Sequence, residues 1–102
     1  MSDHLTYANL LPDYDAGIAK DIPPATLAGL VRYATEHCPV GSFLTAVLAN
    51  DFRDAVARAD HVNLPALRPI MLFVYNCLPS PCHGSREAVA KWLGVAAKGG
   101  AA

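Results

Sequence analysis

Excess positive charge is absent from this chain: eight Lys and Arg stand against nine Asp and Glu, for a net of -1. A protein that tracks duplex nucleic acid carries a basic face to neutralise phosphates, so duplex DNA or RNA is not an expected partner. Long apolar runs are missing as well. The densest stretch, around Ile70 to Tyr75, is far short of the roughly 20 residues that cross a bilayer. Met1 to Leu5 shows no basic segment leading into an apolar run, the pattern of a secretory signal. The expectation is a cytoplasmic protein with no membrane partner. Cysteine is sparse and odd in number, and Cys38, Cys77 and Cys82 fit reduced thiols better than a disulfide framework. Aromatic residues make up only 8%, whereas there are eighteen alanines. A chain of 102 residues buries only about 60 to 65% of its unfolded surface, so so thin a core must be well filled or completed by another subunit. A homo-oligomer is therefore expected.

Residues 1 to 22 show no sustained period. Four aspartates, Pro12, Gly17 and scattered tyrosines precede Pro23-Pro24, and the stretch reads as an irregular N-terminal arm: a mobile terminus, or one that docks on a neighbouring subunit through Tyr7, Leu10, Leu11 and Tyr14. From Pro24 the pattern becomes helical. Leu27, Leu30, Val31 and Ala34 share one face, predicting a helix over 24–37 that stops at Cys38-Pro39-Val40-Gly41. Ser42 is the expected cap of the next helix, whose inner stripe is Leu44, Val47 and Leu48. Phe52, Ala55, Val56 and Ala59 repeat the spacing. In an uninterrupted helix Asp51 would fall inside that apolar stripe, so a break at Asn50-Asp51 with Asp51 as a new N-cap is favoured. Asn63 is the expected cap of a central helix over 64–78, apolar on nearly all sides, in which Pro69 marks either an early kink or the true start. Ser85 caps a last helix carrying Val89, Trp92, Leu93 and Ala96, expected to lie as a lid. Residues 99–102 form a flexible tail. No segment alternates apolar and polar residues, so the fold class is all-α: four to five short helices in a domain over 23–98, with Leu48, Phe52, Ile70, Phe73, Val74 and Trp92 at its core.

The chemistry-bearing constellations are modest. Cys77, Cys82 and His83, with His37-Cys38, offer enough ligands for zinc but at a spacing that matches no zinc motif, and no metal or cofactor is expected. The adjacent His37-Cys38 and Cys82-His83 pairs lack attacking geometry and an orienting acid, so no catalytic residue is assigned. Two loop-to-helix junctions are more suggestive. Gly41-Ser42 and Gly84-Ser85-Arg86 each bring Gly and Ser to a helix start, where backbone N–H groups and the dipole favour an anion, though Gly-Ser is also an ordinary turn and cap. Asn50, Asp51, Arg58, Tyr75 and Asn76 add groups that read a base edge, stack or hold phosphate, and otherwise serve as caps and solvated faces. The candidate ligand-binding set is Gly41, Ser42, Thr45, Asn50, Asp51, Arg58, Tyr75, Asn76, Gly84, Ser85 and Arg86.

The run Pro39 to Asp51, P-V-G-S-F-L-T-A-V-L-A-N-D, resembles small proteins of tailed bacteriophages and prophages. So do Ala57 to Asp60, Tyr75-Asn76, Gly84-Ser85 and Ala90 to Leu93, and the likeness spans about residues 23 to 95. The resemblance implies the setting of a bacterial infection and location in the host bacterial cytoplasm, where short phage proteins bind host factors and one group sequesters the nucleotide signals of defence systems. The expected function is thus non-enzymatic: counter-defence by sequestering a small phosphorylated or nucleotide ligand. The alternative is a protein-binding inhibitor or regulator of a host defence protein, with no small-molecule site.

Overall fold

The computed structural model describes the backbone of residues 7–101 and the side chains of residues 7–94. A helical turn at residues 7 to 10 leads into α1 (Ala16–Ala19), α2 (Pro24–Glu36), α3 (Ser42–Leu48), α4 (Phe52–Arg58), α5 (Leu67–Cys77), a 3-10 turn (Ser80–Cys82) and α6 (Arg86–Ala101). The fold is all-α, and no strand occurs among the described residues.

Local chemistry explains most of the boundaries. Pro24 opens α2, and His37, in the left-handed region at φ 57°, closes it with its N–H on the Tyr33 carbonyl. The break between α3 and α4 is a complete helix stop. Asn50 adopts φ 61°, its N–H donates to Val47 O at 3.1 Å, and the Asp51 N–H donates to Ala46 O at 2.9 Å. Asn is among the few side chains that tolerate this conformation. Asp51 then restarts the chain by accepting the Asp54 N–H at 3.1 Å. In α5, Pro69 stands in the first turn, where its missing donor costs nothing, so the helix begins at Leu67 and runs on through it to Cys77. Ser85 caps α6 by accepting the Ala88 N–H at 3.0 Å.

The core is a single cluster built on α2 and α5. Leu30, Tyr33, Ile70 and Phe73 are fully buried, joined by Leu48 from α3 and Cys82 from the 3-10 turn. Two polar ties cross it: the Tyr33 hydroxyl donates to Cys82 O at 2.7 Å, and the Trp92 indole N–H donates to Tyr33 O at 2.8 Å. Trp92 is only partly buried, and its ring lies 4.3 Å from that of His37. It therefore pins α6 to the end of α2 from the edge of the core.

Several expectations change. The arm is not a separate, mobile element: Leu11, Ala19 and Ile22 are buried, Asp15 caps α1, and Tyr14 meets Phe73 edge-on at 5.8 Å. It covers α5 of its own chain, because burying Leu11 and Ile22 is worth about 1.5 to 3 kcal/mol each. Residues 1 to 6 of that arm lie outside the described residues. Phe52 is not core; its side chain is 59% exposed, and Ala55 is the buried residue of α4. Ser42 does not cap α3, whose N-cap is Gly41 without a side-chain bond. Asn63 does not cap α5 either; its Oδ1 accepts the Thr26 hydroxyl at 2.6 Å, and Asp60 organises this loop by accepting the N–H groups of Val62 and Asn63. Helix α6 continues to Ala101, through most of the expected tail, with no proline to stop it.

Candidate functional site

Most of the predicted ligand set lies along two concavities of similar volume. One, about 900 Å³, is an open polar depression between α3, α4 and the start of α6, lined by Ser42, Thr45, Asp51, Arg53, Asp54, Arg58 and Arg86. The other, about 850 Å³, is a groove whose walls are Val47 and Leu48 of α3, Phe52 of α4, and Leu67, Met71, Leu72 and Val74 of α5. Asn50, Arg68, Tyr75, Ser80, His83 and Gly84 complete it.

In the polar depression two of the three arginines are already engaged, and Arg53 makes no hydrogen bond or ion pair among the described residues. Arg58 Nε reaches both Asp54 oxygens at 3.0 Å, and Arg86 Nη2 donates to Asp51 Oδ2 at 3.0 Å and to Asp54 Oδ2 at 3.3 Å. The Asp54 N–H and the Arg86 guanidinium hold the Asp51 carboxyl below its ordinary range, and Asp51 in turn raises the Arg86 pKa. An anion held by Arg58 or Arg86 would have to displace carboxylates already bound to them. At the second junction the Gly84 N–H donates to Leu48 O at 2.7 Å, with Gly84 at φ 117°, and the Ser85 hydroxyl is the cap of α6. Thr45 turns its hydroxyl back to Gly41 O at 2.9 Å. Gly41, Asn76 and Ser85 line neither concavity, and the Asn76 amide donates to Leu72 O on its own helix.

The apolar groove is chemically different. The side chains of Asn50, Arg68, Tyr75 and Ser80 make no hydrogen bond or ion pair among the described residues. His83 Nε2 is buried without a partner. Burial lowers the His83 pKa, with a backbone hydrogen bond to Leu78 acting the other way, so the ring is neutral at pH 7. Apolar walls with a few unengaged polar groups, at a volume of a few hundred to a thousand cubic ångströms, are the composition of a ligand site. Of the predicted set, Asn50, Tyr75 and Gly84 belong to it. Arg68, His83, Met71 and Phe52 were not among the predicted ligand residues. Arg68 did carry a signal, as the lone charge from Leu67 to Leu78.

The thiols do not form a reactive centre. Cys77 and Cys82 are buried, and burial pushes the Cys82 thiol up to about 12, so it stays protonated at neutral pH. Among the described residues no three His, Cys, Asp or Glu side chains stand together as metal ligands, and no helix is long and apolar enough to cross a membrane. No family model, no curated protein and no solved structure matches this chain.

Proposed function

We propose that this protein binds and sequesters a small phosphorylated, nucleotide-like ligand without catalysis, and that the ligand lies in the groove between α3, α4 and α5. The observation that supports this reading is the groove itself: about 850 Å³, apolar-walled, with unengaged Asn50, Arg68 and Tyr75 at its rim. A flat base fits against Tyr75, Phe52 and Met71, with Asn50 placed to meet a polar edge. The setting we propose is counter-defence by a phage-encoded protein in the host cytoplasm, acting as a homo-oligomer.

The second reading is docking of a host protein on the same face. It is favoured by Phe52 and Tyr75, which are 59% and 77% exposed, large apolar surfaces to leave in water. Purification from cells that make nucleotide signals, followed by denaturation and mass spectrometry of released small molecules, separates the two. A stoichiometric small phosphorylated compound supports sequestration. Stoichiometric copurification of a host protein, with no small molecule released, overturns it in favour of the second reading.

A further inference from the structure

We infer that the ligand of this groove carries one anionic group at one end of a flat apolar body, and that Arg68 is the residue that holds it. This rests on reading the groove as a ligand site and narrows the chemistry that fits it. Arg68 is the only formally charged residue of the groove lining, since His83 is neutral. It is also without a counter-ion among the described residues, as is Arg53 in the polar depression, whereas Arg58 and Arg86 are each paired with aspartate. The chain thus leaves uncompensated, beside an apolar cavity, one cation of the type that pairs strongly with carboxylate, sulfonate or phosphate.

The same walls set the upper limit on ligand charge. Leu72, Met71 and Val74 offer no partner to a second anion, and an unpaired charge against apolar surface is strongly disfavoured. With one cation in the lining, a single phosphodiester or carboxylate is matched in charge and a polyphosphate is not. Arg68 stands in the first turn of α5, where the helix dipole also favours negative charge, and Tyr75 lies seven residues further along. At about 1.5 Å per residue the anion and the far end of the apolar body are roughly 10 Å apart, the span of two or three fused or linked rings.

Anilinonaphthalene sulfonate has this shape and charge, and phenylnaphthylamine is its uncharged counterpart. Fluorescence titration of both probes, at one ionic strength, is carried out on the wild type and on Arg68→Gln, Arg53→Gln and Tyr75→Ala, all at exposed positions. Near-ultraviolet circular dichroism verifies native packing. One sulfonate probe should bind per chain. Arg68→Gln should weaken the sulfonate about tenfold or more, the scale of a lost charge-assisted contact, while leaving phenylnaphthylamine within about twofold. Tyr75→Ala should weaken both probes, and Arg53→Gln, in the other depression, neither. Equal loss of both probes in Arg68→Gln, no loss of either, or an equal loss in Arg53→Gln overturns the assignment of Arg68. Retention of both probes in Tyr75→Ala places them outside the groove and overturns it too. If neither probe binds the wild type at a defined site, the ligand-site reading fails along with it.

Discussion

Arg86 Nη2 bridges Asp51 Oδ2 at 3.0 Å and Asp54 Oδ2 at 3.3 Å, tying the start of α6 to the start of α4 across 35 positions of sequence. Asp51 meanwhile caps α4 through the Asp54 N–H. One carboxylate therefore performs a local and a long-range task, and substitution can separate them. Asn keeps the capping oxygen and loses the charge, whereas Ala loses both. Thermal melts should rank wild type above Asp51→Asn, and Asp51→Asn above Asp51→Ala. High salt should narrow the first gap and leave the second, because the pair is exposed and screened.

Phe73 and Phe52 look alike in the sequence and should behave oppositely. Phe73 is fully buried between α5 and the N-terminal residues, so Phe73→Ala should cost about 3 to 5 kcal/mol in urea unfolding. Phe52 is 59% exposed, so Phe52→Ala should cost under about 1 kcal/mol. It should nevertheless weaken phenylnaphthylamine binding, since its ring is a wall of the groove.

The Tyr33 hydroxyl is the tie between α2 and the turn after α5. Tyr33→Phe preserves the ring and leaves Cys82 O without its partner in the core. The expected cost is about 1 to 3 kcal/mol, that of an orphaned buried acceptor. Urea unfolding measures it, and a neutral result would mean that water replaces the hydroxyl.

His83 makes stability depend on pH. Its pKa in the folded protein lies below the ordinary 6.5, chiefly because its ring is buried. The unfolded chain then binds the proton more readily, so stability is complete above about pH 6.5 and declines as pH falls toward the lowered value. His83→Gln should flatten that decline. Denaturant midpoints measured from pH 5 to 8 on both proteins test the slope.

Thiol labelling should distinguish the three cysteines. Cys38 is partly exposed, while Cys77 and Cys82 are buried, with both buried thiols raised above their ordinary range. Native protein treated with iodoacetamide at pH 8 should gain one label by mass, on Cys38, and denatured protein three. Rapid labelling of Cys82 in the native state would contradict the packed core.

Neighbouring residues decide among themselves where helices start and stop. Pro24, Asn50, Asp51 and Ser85 act within one turn of where they stand, through backbone conformation and capping bonds, so helix class and most breaks were legible. Spacing also identifies which residues share a face. It does not say what that face meets. Phe52, Ala55, Val56 and Ala59 read as a core stripe, yet only Ala55 is buried, because α4 offers little of its length to the interior. Residues 7 to 22 have no period to read, yet Leu11 and Ile22 join the core because α5 leaves a surface for them. The Asp54–Arg58 pair, four positions apart on one helix, was open to reading from spacing, whereas Arg86 looked available to a ligand. The tertiary structure decided otherwise for Arg86 by setting Asp51 and Asp54 against it, while leaving Arg68 without a counter-ion beside an apolar groove. Charge pairing and burial depend on distance in space, and across 30 or more positions of chain only the packed fold sets that distance.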